Sequence, residues 1–219
     1  MKFLNSWSHE GEDIIASAIL RDLETGYYFD IGCASPIHLS NTWKFYQQGW
    51  RGLAVDARPL HEEWQLHRPS DIFTQKLLGD GSDLIFYEFP DPHMSTCDTD
   101  TILRYSERFP KELIVSKPMQ TVRAGELWSS LFPSAIPDLV SLDVEGHELS
   151  VLNGFNLASE RPKLFIVELK NFNFMHPSAH PLVRFFYDNS YTLISKTPLD
   201  GFFIDSLSPV FDWIPVLMK

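Results

Sequence analysis

Hydrophobic and polar residues follow two different periods along the chain, and each period predicts one kind of element. Apolar residues three or four positions apart predict helices, whereas short continuous apolar runs predict buried strands. The helical spacing occurs at 12–24, 41–49, 59–68, 146–154 and 181–189. The apolar runs lie at 27–32, 52–57, 71–80, 82–89, 138–143, 163–169, 191–195 and 201–205. In the first helix one face carries Ile14, Ile15, Ala18, Ile19 and Leu23.

This order of elements predicts an α/β fold, because strands that alternate with helices form a mostly parallel sheet. At 219 residues the chain is expected to be one domain, 1–219. The segment 90–137 breaks the pattern and holds six of the fifteen prolines. We expect it to form an irregular insertion or lid, with a helix near 99–108, a strand near 112–122 and a helix near 124–131.

Acidic residues stand where the predicted strands end. In open parallel sheets ligands bind beyond the carboxyl ends of the strands. The residues at or just past those ends are Asp30, Gly32, Asp56, Asp80, Asp143 and Glu168. A single carboxylate there is a common polar cap, but a group of them repels itself and raises its own pKa values. Such a rim is suited to a cation, to hydroxyl groups or to a metal.

The composition excludes several classes of partner. The formal net charge is −11, and no cluster of Lys and Arg is present, which argues against nucleic acid or an anionic membrane. No apolar run approaches the roughly 18 residues of a membrane span, and no signal peptide is expected. Cys33 and Cys97 form no metal or disulfide pattern, so we expect a reduced, cytoplasmic protein. The apolar tail 211–218 predicts a packed segment or a homodimer surface.

The turn after the first strand narrows the choice of cofactor. A dinucleotide fingerprint would need glycine at positions 32, 34 and 37, and only Gly32 is present. Asp30 would also repel a pyrophosphate. S-adenosylmethionine has a cationic sulfonium, an ammonium and a ribose, and therefore suits an acidic rim. In this interpretation Asp56 accepts from the ribose hydroxyls, Asp80 flanks the adenine, and the backbone of 32–35 holds the amino-acid end.

Three blocks of sequence resemble the FkbM-type methyltransferase family. They are SHEGEDII at 8–15, DIGCASPIHLSNTWKFYQQGWRGLAVDARP at 30–59 and DLVSLDVEGHELSVLNGF at 138–155. The turn departs from the family pattern, because it lacks a second glycine. The resemblance implies a class I, Rossmann-like methyltransferase with a seven-stranded sheet, helices on both faces and S-adenosylmethionine as donor. It also implies a hydroxyl acceptor on a sugar or a polyketide-type small molecule.

The same resemblance implies a role for individual residues. It implies that five residues lie near the cofactor: Asp30, Gly32, Ser40, Asn41 and Asp56. It implies that Asp143, Glu145 and Glu168 are acidic active-site residues. His147 is a further candidate, because crowded carboxylates and histidine both titrate near neutral pH, as a general base must. Glu148 could instead cap the following helix.

The resulting hypothesis is O-methylation of a small hydroxylated acceptor, a sugar or glycoside, which is recognised by 90–137 and 171–185. A divalent metal, Mg²⁺ or Mn²⁺, is an open alternative, with Asp143 and Glu168 joined by His147 or Asn171 as ligands. A metal-dependent hydrolase and a non-catalytic binding module of the same fold are the two rival functions.

Overall fold

The computed structural model describes residues 5–209, so the predicted tail segment 211–218 lies outside the described part. Seven helices are present in that part: α1 Glu12–Ile19, α2 Trp43–Gln47, α3 His61–His67, α4 Thr99–Ser106, α5 Ala124–Leu131, α6 Glu148–Leu152 and α7 Pro181–Asp188. The first six strands are β1 Tyr27–Ile31, β2 Arg51–Asp56, β3 Ile72–Gln75, β4 Leu77–Leu78, β5 Asp83–Glu88 and β6 Val115–Val122. The last four strands are β7 Leu139–Leu142, β8 Leu164–Glu168, β9 Tyr191–Lys196 and β10 Asp200–Asp205.

Seven of these strands form one sheet, in the order β3-β2-β1-β7-β8-β10-β9. The first five are parallel, and β10 is antiparallel to both β8 and β9. This confirms the predicted α/β fold with a mostly parallel seven-stranded sheet. The strand order reverses between β1 and β7, and ligands bind at such a reversal point because the loops that leave the two strands run apart there.

Helices cover both faces of this sheet, as predicted. Because successive side chains of a strand point to opposite faces, each strand feeds two separate cores. The first core contains residues of α5, α6 and α7 packed on Phe29, Val140, Leu142, Phe165, Val167 and Phe203. The second contains residues of α1 and α2 packed on Tyr28, Leu139, Leu164, Ile166, Phe202 and Ile204.

The first helix differs from its prediction in length and in orientation. It ends at Ile19 rather than near residue 24, and its buried apolar residues are Ala16 and Ile19, whereas Ala18 is exposed. Glu12 and Asp13 are buried in the same helix. The buried face of α1 therefore includes these two carboxylates, which hydrophobic spacing alone does not predict.

The prediction of one third strand over 71–80 is wrong. The chain leaves the main sheet at Lys76, whose N–H donates to the Asp56 carbonyl (2.9 Å). It then contributes β4 to a second sheet in the order β4-β6-β5, in which β5 and β6 are antiparallel. The insertion 90–137 is consequently more regular than expected, and its predicted helices and strand are confirmed as α4, α5 and β6.

Candidate active site

A cleft opens at the reversal point of the main sheet, with an empty volume of about 640 Å³ counted to its open mouth. The ends of β1, β2 and β7 form one wall, and β4, β5 and the segment 93–97 form the other. The insertion 90–137 contributes four of the lining residues, His93, Ser95, Thr96 and Cys97, and so forms part of this second wall.

Asp56 lies in this cleft at the end of β2, as the sequence predicted. Its two carboxylate oxygens accept from the backbone N–H groups of Ala34 (3.0 Å) and Arg58 (2.8 Å). Burial raises the pKa of Asp56 to about 6, and the two amide hydrogen bonds oppose that rise. The side chain is thus mostly ionised at neutral pH, and the amides hold it in one orientation.

An apolar surface lies beside Asp56. Ala57, Leu77 and Phe86 pack together with partly buried Cys97, and all four line the cleft. A flat aromatic ring is the kind of group that such a slot accommodates. The sequence did not indicate Phe86 or Cys97 for this place, because Phe86 comes from β5 of the second sheet and Cys97 comes from the insertion.

The structure does not bring Asp80 to the cleft. The residue follows β4 of the second sheet rather than the end of β3, and it is exposed. Its carboxylate accepts from the N–H of Ser82 (3.0 Å), which closes a local turn. The expectation that Asp80 flanks the adenine depended on the single strand over 71–80, and it falls with that strand.

Gly32 is required where the ends of β1 and β7 approach each other. Its φ is +76°, and a Cβ at this position would lie 1.7 Å from the carbonyl oxygen of Asp143. The N–H of Gly32 donates to the Val55 carbonyl (2.9 Å), which ties it to β2 as well. Gly32 lines the cleft together with Ala34, so the sequence placed this turn correctly.

Asp30, Ser40 and Asn41 lie beneath the cofactor turn, and none of them lines the cleft. Asp30 accepts from the Thr42 hydroxyl, Ser40 accepts from Arg68 Nη2 (2.7 Å), and the Asn41 side chain donates to the Ser141 hydroxyl (3.2 Å). In this structure the three residues make a buried polar network. The structure gives these residues a supporting role beneath the turn, and a direct contact with the cofactor stays a prediction.

Arg68 is the centre of that network. It is buried, and its Nε donates to the Pro36 carbonyl (2.6 Å) while Nη1 donates to the Thr42 hydroxyl (2.8 Å). Nη1 also lies 3.6 Å from a carboxylate oxygen of Asp71. The aromatic rings that surround the guanidinium are those of Tyr28, Trp43, Tyr46 and Trp64. Arg68 thereby fixes the loop 33–42, although an arginine after a helix looks like a surface residue in the sequence.

Three carboxylates meet at the end of the cleft. Asp143 follows β7, Glu145 follows in the next turn, and Glu168 ends β8. One oxygen of each lies within 4.8 Å of the others. We refer to these three residues as the acidic cluster. The sequence predicted their proximity, because adjacent parallel strands end at the same edge.

Two members of the acidic cluster, Glu168 and Asp143, have raised pKa values. Burial raises the pKa of Glu168 to about 8, the carboxylate of Glu145 raises it further, and the ammonium of Lys170 opposes both. Asp143 keeps accessible surface toward the cleft, but protein atoms at its concave base displace much of the surrounding water. This enclosure, followed by the charges of Glu168 and Glu145, raises the pKa of Asp143. Glu168 is thus poised to take up a proton near neutral pH, and Asp143 holds a proton more readily than a free aspartate does.

Lys170 supplies a cation to the acidic cluster. Its Nζ lies 2.6 Å from a carboxylate oxygen of Glu145 and 2.6 Å from one of Glu168. Burial lowers the pKa of Lys170, but these two carboxylates outweigh it and hold the pKa above its usual value. The sequence analysis missed Lys170 and considered its neighbour Asn171 instead. Asn171 has a φ of +58° and turns away to line a second groove.

The remaining residues of the D-V-E-G-H-E stretch shape its turn. Glu148 accepts from the N–H groups of Val144 (3.3 Å) and Gly146 (3.0 Å), so it caps the turn. A Cβ on Gly146 would lie 2.8 Å from the Cβ of Asp98, which packs against it from the insertion. The helix begins at Glu148, two residues later than predicted. Glu148 and Gly146 are therefore structural residues of the site.

His147 has charged neighbours that differ from those of the acidic cluster. It lines the cleft, but the carboxylates that raise its pKa are those of Asp80 and Asp98, not those of the acidic cluster. Burial outweighs them and lowers the pKa, so the imidazole is neutral at pH 7. A catalytic role for His147 is less consistent with this geometry than one for Asp143 or Glu168.

A comparison with models of known protein families matches residues 30–193 to the methyltransferase FkbM domain. The match covers about three quarters of the chain and includes every residue of the acidic cluster. The chain belongs to the FkbM methyltransferase family. It is accordingly a methyltransferase, and the family implies S-adenosylmethionine as the methyl donor in general. No curated protein and no solved structure matches the chain.

Membership in the FkbM family also favours methyl transfer over the hydrolase alternative. In the described part of this FkbM methyltransferase, no helix is long and apolar enough to cross a membrane. The cleft suits the donor that the family implies, since it combines a buried carboxylate, an apolar slot and an acidic end. Within residues 5–209 the lining of the cleft comes from β1, β2, β7, the second sheet and the segment 93–97 together.

Proposed function

We propose that this FkbM methyltransferase transfers a methyl group from S-adenosylmethionine to a hydroxyl of a sugar or small glycoside. One observation carries the proposal: Asp56 at the end of β2 and Asp143 at the end of β7 line the same cleft. A carboxylate at one end suits a ribose diol. Carboxylates with raised pKa at the other end suit a hydroxyl that must lose its proton.

The first end of the cleft would hold the donor. Asp56 has lone pairs beyond its two amide hydrogen bonds, and these would accept from the ribose hydroxyls. The adenine would lie against Ala57, Leu77 and Phe86. When bound, S-adenosylmethionine supplies an electrophilic methyl group that is bonded to its sulfonium sulfur. The negative charge of the acidic cluster would attract both the sulfonium and the ammonium of the donor.

The second end would activate the acceptor. As the new O–C bond formed, the S–C bond to the methyl group would break and S-adenosylhomocysteine would be the leaving group, while the acceptor hydroxyl would pass its proton to Asp143 or Glu168. A base whose pKa lies near the working pH serves this step best, and Glu168 has a pKa of about 8. Glu145 would instead have a positioning role, because Tyr105 Oη and Lys170 Nζ both donate to its Oε2 (2.6 Å each). Much of the rate would come from positioning the two reactants.

A second groove offers a place for the rest of the acceptor. It lies one residue beyond Glu168 and has an open volume of about 710 Å³. Phe172 and Phe174 line it, and Phe174 is 75 % exposed. Exposed aromatic rings beside polar groups are typical of sites that bind the apolar face of a sugar ring. Three of its lining residues, Asn171, Phe172 and Phe174, fall within 171–185, one of the segments expected to recognise the acceptor.

Calorimetric titration with S-adenosylmethionine and S-adenosylhomocysteine tests the donor site. We expect saturable binding by the unmodified protein. We expect Asp56→Ala to weaken binding by about 1–3 kcal/mol, roughly 5- to 150-fold, because the ribose hydroxyls lose their partner. Asp80→Ala is the matched control, because this exposed carboxylate stands outside the cleft, and its affinity should equal that of the unmodified protein. Equal affinities for all three proteins would contradict the donor site.

Turnover tests the acceptor class. Incubation with a panel of free sugars and glycosides, followed by mass spectrometry, should show a product that gains one methyl group. Asp143→Asn should lower kcat by about 10²–10⁴-fold while binding of S-adenosylhomocysteine persists. Methylation of an amine in preference to every hydroxylated compound would overturn the acceptor assignment. Binding without any turnover would favour the non-catalytic module.

A further inference from the structure

We propose that Lys170 is a built-in cation of the acidic cluster, placed where a divalent metal would otherwise bind. The catalytic part of this inference, that methyl transfer proceeds without a metal, rests on the proposed function. The structural part does not, because it concerns only which cation the three carboxylates hold. Lys170 is in this sense a positioning residue and not a proton acceptor.

The contacts of the ammonium carry the inference. The three carboxylate oxygens of the acidic cluster lie within 4.8 Å of one another, a spacing that could surround one ion. Lys170 Nζ already contacts two of these carboxylates, Glu145 and Glu168, at 2.6 Å each. A metal ion that bound the same oxygens would have to share them with a positive charge. Mg²⁺ also needs oxygen ligands at about 2.0–2.1 Å in near-octahedral geometry, so a shared site suits it poorly.

Lys170 is held in place from both sides. Its side chain is only 28 % exposed, and its backbone carbonyl lies 2.9 Å from Nε2 of His180 at the start of α7. Glu145 is fixed equally well, since Tyr105 donates to its carboxylate and the Thr96 hydroxyl donates to its backbone carbonyl (2.6 Å each). The ammonium therefore cannot leave without breaking an arrangement that several elements support.

The physical reason for such a cation is charge balance. Three carboxylates this close repel one another, and a fixed ammonium reduces that repulsion without the need to capture an ion. It also holds Glu145 and Glu168 at a fixed separation. Removal of the ammonium should leave three oxygen donors around an empty centre, which is a set that divalent cations prefer.

Titration with Mn²⁺ alone, followed by electron paramagnetic resonance, tests this directly. The unmodified protein should show no saturable Mn²⁺ binding that depends on Glu168. Lys170→Ala should bind Mn²⁺ at least tenfold more tightly, and the gain should vanish in the double variant with Glu168→Gln. Lys196→Ala is the matched control, because Lys196 donates to the carbonyls of Thr197 and Pro198 and contacts neither Glu145 nor Glu168. This control should bind Mn²⁺ like the unmodified protein.

Two results would overturn the inference. One is Mn²⁺ binding by the unmodified protein that Glu168→Gln abolishes, a result that needs no Lys170 variant to fold. The other is a folded Lys170→Ala or Lys170→Met protein with no gain in Mn²⁺ affinity. Because neither measurement uses a methyl donor or acceptor, a failure here is distinct from a failure of the proposed function.

Activity supplies the second measurement. Methyl transfer by the unmodified protein should survive exhaustive treatment with EDTA. Lys170→Ala should lose most of its activity and regain part of it on addition of Mn²⁺, whereas Lys170→Arg should need no metal. Loss of the unmodified activity with EDTA, with recovery on addition of Mg²⁺ or Mn²⁺, would contradict a built-in cation.

Discussion

At the scale of single residues, neighbouring acidic side chains of one motif have different tasks. Asp143 faces the cleft, Glu145 is bonded to Tyr105 and Lys170, and Glu148 caps the turn that joins them. The distinction depends on partners that lie far away in the chain, so the motif alone does not reveal it. The same holds for Asp30, which lies on a motif position but bonds to Thr42 beside Arg68.

Replacement of Arg68 should destabilise the whole protein. Arg68→Met would leave the buried carboxylates of Asp30 and Asp71 without their cation, and breaking one partner of a buried ion pair costs about 3–5 kcal/mol. Denaturation in urea measures the free energy of unfolding. Arg123→Met serves as the control, since its ion pair with Glu126 is on the surface and is worth at most about 1 kcal/mol. A loss no greater than that of the control would show that Arg68 is not a structural centre.

At the scale of elements, the ends of three strands define the site. The turn after β1 passes so close to the end of β7 that only glycine can stand at position 32. The chain then leaves β3 at Lys76 and builds a second sheet, which supplies the apolar wall of the cleft. A register in which 71–80 remained one strand would carry Leu77 and Leu78 away from that wall.

A pair of glycine substitutions separates close packing from backbone strain. Gly32 and Gly81 both have a positive φ, +76° and +99°, but a Cβ on Gly81 would meet no atom within 4 Å. Gly81→Ala should therefore cost only the strain, about 1–2 kcal/mol. Gly32→Ala should cost more than about 4 kcal/mol, because Asp143 and the end of β7 must move. Thermal unfolding followed by circular dichroism compares them, and similar melting temperatures would refute the close approach.

At the scale of the whole molecule, several carboxyl groups with raised pKa values lie at one edge of the main sheet. Glu168 with a pKa of about 8, Asp200 with about 7 and Asp56 with about 6 all lie near this edge, and burial is the first cause in each case. Asp200 pairs with Glu168 across β10 and β8. The site therefore contains carboxyl groups that are easily protonated, as proton transfer requires. Burying such groups costs folding free energy.

These raised pKa values predict that the stability and the activity of the protein respond to pH in opposite directions. In the unfolded chain Glu168 and Asp200 titrate near pH 4, so between about pH 6.5 and 8 only the folded state holds their protons. The free energy of unfolding should then fall as pH rises through this window, because the unfolded state binds fewer protons. His93 and His147 have lowered pKa values and change the free energy of unfolding below this window. Lys170 has a raised pKa and changes it above the window.

Urea denaturation at intervals across this window measures the slope, and kcat should rise over the same range as Glu168 ionises. Glu168→Gln is the informative comparison, because it removes the titrating group with its pKa of about 8 and keeps the shape. The variant should show a shallower decline in stability above pH 7. An identical slope in both proteins would mean that Glu168 has no raised pKa.

The sequence by itself determined the elements, the family and the acidic positions at the strand ends. Hydrophobic period is a local property, so β1, β2, β7 and β8 could be predicted within a residue or two. Carboxyl ends of parallel strands share an edge, and for that reason Asp56, Asp143 and Glu168 could be assigned to one rim. The family blocks added Gly32, whose position the close approach of Asp143 explains.

The tertiary structure alone decided which side chains meet. Lys170 bonds to Glu145, 25 residues away, and Arg68 bonds to Ser40, 28 residues away. The split of 71–80 into β3 and β4 depends on pairing with β6, about 40 residues later in the chain. Hydrogen bonds and ion pairs between distant residues follow from how the layers pack, and periodicity carries no information about them. The roles of Lys170, Arg68 and the second sheet therefore became visible only in the folded chain.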